Sequence, residues 1–389
     1  MSSRPLVLLT SVALAGGLAL VTVSCRAGAP AGAAGSAATL RTPWGEPDLQ
    51  GIWNGETITP LERPARWADT PVLSAEEAVA VETWVASSTR GRDDRSQRGT
   101  ERDVAGAYNE LWSPPRDVGL SDRRTGLIVD PPDGRIPPMT PEAQARTRET
   151  REYLRSLLEG TAGGPSGTKV SARRHEPPPR YNVDRMNRSN GPEDRSTLER
   201  CFGVPMPVFD RGVYRIVQSP GQVGVSVDFG QGQGFQRTIP VDGSAHLPPA
   251  IRLLHGDARG RWEGEALVVS VANFTPKSDF RGAREHLRLT ERFTRVSPDR
   301  MTYRVTVEDP TTWTRPWTFE VALNREPDRA NRVYESTCHE GNYGLLGMLA
   351  NTRAAEALHA KGQGPDPATQ DNATGGGTAA EQLLANFPR

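Results

Sequence analysis

The sequence predicts a mainly β protein in which an antiparallel meander closes into a barrel. Seven or more short runs between residues 181 and 361 are rich in β-branched or aromatic residues, and most alternate between polar and apolar positions. The chain also contains 39 Gly and 33 Pro, well above average usage. This composition favours short strands separated by many turns.

The predicted strands lie in the segments GVYRIVQ, QVGVSVDF, GFQRTIPV, GEALVVSVANF, EHLRLTERFTRV, DRMTYRVTVED and RPWTFEVAL. Alternation in MTYRVTVED places Tyr303, Val305 and Val307 on one face of a strand. The other face carries Thr302, Arg304, Thr306 and Glu308. Because a barrel hides strand edges that would otherwise pair with other chains, we expect a closed or nearly closed barrel, lipocalin-like in outline.

Helices are predicted on both sides of this region. Ser74 and Glu77 form a capping box before an apolar helical stretch, and a second helix should start at Thr140 with Pro141 in its first position. Between these two helices, TGLIVDPPDGRIPPM is typical of a short strand, a turn and a return. A last helix is expected near residues 345–361, where it would cap or flank the barrel.

These elements predict a linear organisation of the chain. Its parts are a signal peptide at 1–24, a flexible tether at 25–41, an irregular mixed segment with two helices at 42–180, an antiparallel β-barrel with a C-terminal helix at 181–361, and a disordered tail at 362–389.

The N-terminus resembles a bacterial lipoprotein signal peptide. Arg4 precedes a long apolar run, and the small residue Ser24 precedes Cys25. The resemblance implies that Cys25 becomes a lipidated N-terminus, held at a lipid bilayer without spanning it. Arg26 after the cysteine implies delivery to the outer membrane, facing the periplasm. The alternatives are cleavage a few residues later, which gives a secreted soluble protein, and an uncleaved anchor.

Five blocks together resemble a family of uncharacterised secreted bacterial proteins. They are WGEPDLQGIW, LIVDPPDGRIPPMTPEA, GRWEGEALVVSVANF, LRLTERFTRVSPDRMTYRVTVEDPTTWTRPW and CHEGNYGL, and they span about residues 42–353. The resemblance implies one continuous module, with the N-terminal segment wrapped on the barrel. It implies no particular reaction.

Charge and motifs exclude several classes of function. Lys plus Arg equals Asp plus Glu at 47 each, so no overall field favours binding to nucleic acid. Walker loops, Gly-x-Ser-x-Gly elbows, His-Glu-x-x-His helices and paired Cys-x-x-Cys motifs do not occur in the sequence. We therefore expect no metal and no cofactor. The sequence carries no signal for an oligomeric state.

Ionisable and aromatic residues supply the candidate site. His titrates near neutrality and a buried Glu can be raised toward it, which suits acid and base catalysis. The catalytic candidates are His339, Glu340, His246 and Glu263. The ligand-binding candidates are Trp313, Trp317, Tyr343 and His286. For the two tryptophans, burial as hairpin anchors is the alternative. We expect His339, Glu340 and at least one of His246 and Glu263 to face one cavity at a barrel end.

Three function classes follow from these candidates. The first is binding of a small, partly apolar molecule in the barrel. The second is a cofactor-independent hydrolase or isomerase that uses a His and Glu pair in the same pocket. The third is a structural envelope protein whose interior is filled by side chains.

The cysteines predict a disulfide. Once Cys25 is lipidated or removed, Cys201 and Cys338 are the two remaining thiols in an oxidising compartment, where unpaired thiols are a liability. A bridge over so long a loop contributes roughly 5 kcal/mol in the chain-entropy model. The competing interpretation makes Cys338 and His339 a nucleophile and its base, but adjacent residues on a strand point to opposite faces.

Overall fold

The barrel is built from strands whose alternating residues were visible in the sequence. The computed structural model describes residues 40–89, 118–158, 191–192, 197, 200–203, 206–209, 212–228, 234–327, 329, 339 and 342–364. Its strands are β1 Gly51–Asn54, β2 Ile128–Asp130, β3 Val213–Ser219, β4 Gln222–Asp228, β5 Phe235–Pro240, β6 Asp257–Glu263, β7 Ala266–Ala272, β8 Arg288–Ser297, β9 Arg300–Glu308 and β10 Trp317–Glu326. Its α-helices are α1 Ala75–Thr89, α2 Pro141–Leu158 and α3 Tyr343–Ala360.

Nine strands form one antiparallel sheet that is nearly closed into a barrel. Their order is β5-β4-β3-β1-β10-β9-β8-β7-β6, and β2 adds a short pairing with β10. The end strands β5 and β6 approach closely at Gly260, where an added Cβ would lie 2.9 Å from Ile239 Cγ2. The predicted barrel is therefore confirmed. We call the line along which β5 and β6 meet the seam, and the small residue Gly260 lets the two strands lie close together there.

The two faces of each strand follow the predicted alternation. On β9, Tyr303, Val305 and Val307 are buried in the core, whereas Arg304 and Glu308 are exposed. In the neighbouring strands the alternate residues also point inward. The interior is therefore lined by one continuous apolar cluster that includes many large aromatic side chains. Residues of the opposite phase form the outer wall.

The N-terminal segment contributes to the sheet itself rather than only wrapping on it. Strand β1 pairs with both β3 and β10, so it joins the two halves of the meander. Trp53 on β1 lies opposite Tyr214 and is fully buried. The boundary predicted between 42–180 and 181–361 therefore does not separate two sheets, because a strand from the first part completes the second.

The predicted helix starts are confirmed. Ser74 N donates to Glu77 Oε2 at 2.8 Å, and Glu77 N donates to Ser74 Oγ at 3.1 Å, which are the two bonds of a capping box. At the start of α2, whose first residue is Pro141, Ala143 N donates to the side chain of the preceding Thr140, with Oγ1 at 3.1 Å. In the part of the chain that the structure describes, no helix combines the length and the apolar character that a membrane span requires.

Several predictions concern residues outside the described ranges. The signal peptide, Cys25, Glu340, Cys338 and nearly all of the tether and the tail belong to this group. They stay predictions.

Candidate functional site

A charged pair crosses the interior of the barrel. Arg237 lies on β5 between Phe235 and Ile239, and Glu291 lies on β8, so the alternation turns both side chains inward. Arg237 Nη1 donates to Glu291 Oε2 at 2.6 Å, and Nη2 donates to Oε1 at 2.8 Å. This two-bond fork is the geometry in which a guanidinium and a carboxylate bind each other best. The two strands are not neighbours in the sheet, so the pair links distant parts of the barrel wall.

Tyr303 completes what we call the interior cluster, Arg237, Glu291 and Tyr303. Its hydroxyl donates to Glu291 Oε1 at 2.5 Å. Burial, followed by the nearby Glu291 carboxylate, raises the pKa of Tyr303 well above its usual value. Burial by itself disfavours the charged guanidinium, but the Glu291 carboxylate outweighs it and raises the pKa of Arg237. The cluster is therefore a cation, an anion and a neutral phenol, with no net charge.

One donor of the interior cluster is unused. Nε of Arg237 is buried and has no hydrogen-bond partner in the described part of the chain. The arginine side chain is 10% exposed and that of Glu291 is 0% exposed, so bulk water does not replace the missing partner. The indole N–H of Trp317, also on the interior phase, is buried without a partner among the described residues as well. The interior thus presents hydrogen-bond donors in an apolar surrounding.

A second cluster lies on the outer wall of the barrel. On β7, Leu267, Val269 and Val271 point inward, so Ser270 points outward. His246 Nε2 lies 3.0 Å from Ser270 Oγ, and His246 Nδ1 lies 2.8 Å from Asp257 Oδ2. We call His246, Asp257 and Ser270 the outer-wall cluster.

The partners of Asp257 define the tautomer of His246. Asp257 Oδ2 also accepts from Leu247 N at 2.9 Å, and Oδ1 lies 3.1 Å from an Arg259 nitrogen. A carboxylate with these donors around it acts as an acceptor, so Nδ1 of His246 carries the proton. When the ring is neutral, Nε2 is then the acceptor that faces the Ser270 hydroxyl.

Glu263 does not join His246. It lies at the far end of β6, where Arg261 at 2.6 Å and Arg292 at 2.5 Å pair with its exposed carboxylate. The hydrogen bonds from these two arginines lower the pKa of Glu263. The strand from Asp257 to Glu263 spans about 20 Å at the usual rise per residue. His246 and Glu263 therefore do not lie together, and the carboxylate that reaches His246 is Asp257.

His339 is exposed, and its ring contacts Phe202 edge-on with ring centroids 6.5 Å apart. The sulfur of Cys201 accepts from Asn342 Nδ2 at 3.3 Å. Cys338 lies outside the described residues, so its disulfide with Cys201 stays a prediction that peptide mapping of the non-reduced protein tests.

The four ligand-binding candidates do not converge. Trp313 and Trp317 are buried and pack edge-to-face with centroids 5.5 Å apart, which agrees with their alternative role as hairpin anchors. Tyr343 is 78% exposed at the first residue of α3, and His286 is exposed in the loop before β8. Both tryptophans belong to the apolar cluster of the core, and the indole N–H of Trp317 is one of the two unused donors.

The sequence contained a signal for the interior cluster. In FQRTIP, Arg237 shares its phase with Phe235 and Ile239, and in LTERF the charged Glu291 falls between two core residues. A charged residue at an inward position of an alternating strand requires a buried partner. The outer-wall cluster had no such signal, because serine and aspartate are ordinary residues on a solvated strand face.

Comparison with known proteins leaves the family open. No family model matches the chain, and no curated protein matches it. Secretory abundant heat soluble protein 4 from Ramazzottius varieornatus aligns at a TM-score of 0.21 and 10% identity, covering 30% of this chain and 69% of that one. A single-residue mutant of the fluorescent protein UnaG aligns at a TM-score of 0.21 and 13% identity, covering 33% of this chain and 86% of that one. At these TM-scores neither similarity supports an argument, and the fold assignment depends on the strand order above.

Proposed function

We propose that this protein is a lipid-anchored, extracytoplasmic barrel that binds a small, partly apolar molecule in its interior. The observation that carries the proposal is the buried Nε of Arg237, which has no hydrogen-bond partner among the described residues. A buried donor left unpaired costs about 1–3 kcal/mol. A ligand oxygen that accepts from this donor would recover that free energy.

The free-energy cost of burying the charged groups of the interior cluster favours a role in ligand binding over a role in packing the core. Apolar side chains of similar volume stabilise a core as well as a buried ion pair does, or better. Arg237, Glu291 and Tyr303 nevertheless lie in the middle of an apolar barrel. Groups that add little to stability and retain an unused donor are typical of a site that orients a ligand.

The charge of the interior cluster defines the class of ligand. Because Arg237 and Glu291 neutralise each other and Tyr303 stays neutral, the site offers donors but no net charge. A neutral acceptor such as a carbonyl, ester or ether oxygen fits it better than a carboxylate, which would compete with Glu291 for Arg237. The rest of the ligand would contact the aliphatic and aromatic lining.

A fluorescence titration with Nile red tests this proposal, because the dye is apolar, neutral and carries a carbonyl oxygen. The wild-type protein should bind it saturably. The double variant Arg237→Leu/Glu291→Leu removes both charges together and should bind roughly tenfold more weakly or worse, the value of one hydrogen bond to a charged group. The same kind of change on the outer wall, Arg215→Leu, should leave the affinity unchanged. Absence of saturable binding, or equal affinity of the double variant, contradicts the proposal.

Cys25 is the residue proposed to hold the protein at the membrane. The supporting observation is the apolar run that ends in Ser24 ahead of this cysteine. Replacing Cys25 with Ser should release a soluble protein into the periplasm or medium, because the acyl chains that anchor it are lost. Fractionation of cells that express each form, with immunodetection, measures the outcome. Unchanged membrane association of Cys25→Ser would contradict lipid anchoring at this residue.

A further inference from the structure

The outer-wall cluster has the hydrogen-bonding order of an activated serine. Ser270 Oγ, His246 Nε2, His246 Nδ1 and Asp257 Oδ2 form an unbroken chain with separations of 3.0 Å and 2.8 Å. A serine is a weak nucleophile until a neighbouring base accepts its proton, and the base in turn needs a third group that orients it. All three parts are present, and the tautomer deduced above places the free lone pair of His246 toward the hydroxyl.

Asp257 is held more firmly than a chance neighbour would be. Its side chain is 5% exposed, and Leu247 N donates to the oxygen that also binds His246. Arg259 pairs with the other carboxylate oxygen and also donates to Ala245 O at 2.7 Å, which fixes the chain just before His246. The imidazole is therefore positioned from both sides, and it keeps 31% exposure to solvent.

A cation and an open approach lie beside the hydroxyl. Arg259 is the cross-strand partner of Ser270 on β6, so their Cβ atoms are separated by roughly 4.5–5.5 Å on the same face. Its guanidinium, which pairs with Asp257 and donates to Ala245 O and Ala258 O, is a cation on the same face of the sheet as the hydroxyl. On the other side, the partner of Ser270 is Thr290 of β8, which is exposed to solvent. A small ester therefore has access to Ser270 from the β8 side.

We propose that Ser270, His246 and Asp257 form a second, serine-nucleophile site on the outer wall that hydrolyses small carboxylic esters. Ser270 Oγ forms a bond to the carbonyl carbon while His246 Nε2 accepts the hydroxyl proton. The carbon–alkoxide bond then breaks, and the leaving oxygen takes that proton. Water attacks the acyl-serine with His246 again accepting a proton, which releases the acid and regenerates Ser270. Asp257 is a positioning residue that holds His246.

The sheet around Ser270 limits the expected reactivity. Ser270 lies inside β7 and is paired on both sides, so its backbone takes part in the ladders with β6 and β8. Its backbone N–H groups are therefore not available as a pair to stabilise the developing negative charge. We therefore expect reaction with activated esters and phosphonylating reagents rather than with amides.

A fluorophosphonate reagent tests the proposal directly. Oγ of the serine forms a bond to phosphorus, fluoride leaves, and the proton passes through His246 to solvent. Peptide mapping of the full-length protein should locate the adduct on Ser270. Ser226 is an internal control, because it lies on the outer wall of β4 and also faces an arginine across the strands, Arg215. Unlike Ser270, Ser226 forms no hydrogen bond with a histidine in the described part of the chain, so it should stay unlabelled.

Variants separate a reactive site from a structural one. Ser270→Ala should abolish labelling and the hydrolysis of p-nitrophenyl acetate at this site. His246→Gln should slow labelling about 10²-fold, the usual contribution of a general base. Circular dichroism and thermal unfolding establish that each variant is folded. Should His246→Gln fail to fold, labelling of Ser270 against Ser226 in the wild-type protein still decides the question. The proposal would be overturned if neither serine is labelled, if both are labelled equally, or if the labelling rate of folded His246→Gln is unchanged. The hydrogen bonds of the outer-wall cluster would then serve only to hold the loop before β6 in place.

Discussion

The interior cluster and the outer-wall cluster each contain a carboxylate, a basic nitrogen side chain and a hydroxyl group. Their surroundings determine what each cluster can do. Glu291 is fully buried and its oxygens are taken by Arg237 and Tyr303, whereas His246 at the outer wall keeps 31% exposure. A dry, neutralised cluster cannot exchange protons with solvent, but it can hold a ligand oxygen in a fixed place. A half-exposed imidazole can exchange protons and receive water. This difference is the basis of the two proposals, ligand binding in the interior and ester hydrolysis on the outer wall.

The largest expected effect comes from breaking the interior pair on one side. Glu291→Leu leaves the Arg237 charge buried without its partner, which should lower the free energy of unfolding by about 3–5 kcal/mol. Arg237→Leu/Glu291→Leu removes both charges and should cost far less or even stabilise the barrel. The matched surface change is Glu263→Leu, because Glu263 also pairs with arginine, here Arg261 and Arg292, but is exposed, so its loss should lower the free energy of unfolding far less. Denaturant unfolding measures all three. Equal losses for Glu291→Leu and Glu263→Leu would contradict the difference drawn between interior and wall.

A second comparison uses two glycines in the sheet. An added Cβ at Gly260 would lie 2.9 Å from Ile239 Cγ2, whereas at Gly224 the nearest atom, Val217 O, is 3.8 Å away. Gly260→Val should therefore widen the seam between β5 and β6 and cost about 1–3 kcal/mol, as overpacking of cores does. Gly224→Val should be close to neutral. Thermal unfolding of the two variants checks this, and similar melting temperatures would mean that the seam is not tightly packed.

The smallest of these effects depends on pH. Burial and Glu291 raise the pKa of Tyr303 in the folded protein, whereas in the unfolded chain the phenol ionises at about pH 10. The unfolded state therefore loses this proton first as pH rises. The stabilising contribution of Tyr303 is fully present below about pH 10 and falls above it by up to about 1.4 kcal/mol per pH unit.

Tyr303→Phe should reduce that alkaline slope. Tyr343→Phe, which alters a tyrosine that is 78% exposed, serves as the control and should leave the slope as in the wild type. Urea unfolding between pH 8 and 11 gives the slopes. An identical slope for wild type and Tyr303→Phe would mean that the phenol is not held neutral in the interior.

Much of the fold could be predicted because it depends on local signals. The alternation in β9 gave the buried face with Tyr303, and the capping box of Ser74 and Glu77 gave the start of α1. Strand β6 was missed because its outward residues are charged and Gly260 interrupts its inward face. The place of β1 between β3 and β10 depends on pairing between residues far apart in the chain, which periodicity does not encode.

The candidate sites were predicted less well for the same reason. His246 was a candidate from the sequence, but its hydrogen-bond partners Asp257 and Ser270 lie on β6 and β7 and have no distinguishing pattern in the sequence. Trp313 and Trp317 were candidates either for a ligand platform or for buried hairpin anchors, and both are buried in the core. Arg237 and Glu291 could have been identified because both occupy inward positions of alternating strands. Their contact with each other could not be predicted, because it depends on how the barrel closes.

Native mass spectrometry of the protein isolated from its own cell envelope tests the central claim most directly. Spectra recorded under native and denaturing conditions separate a bound ligand, which is lost on denaturation, from acyl chains attached to Cys25, which are not. The account predicts an additional mass on the native wild-type protein that disappears on denaturation and is absent from Arg237→Leu/Glu291→Leu. A native mass equal to the denatured mass for the wild-type protein, together with no saturable binding of Nile red, would contradict ligand binding in the barrel.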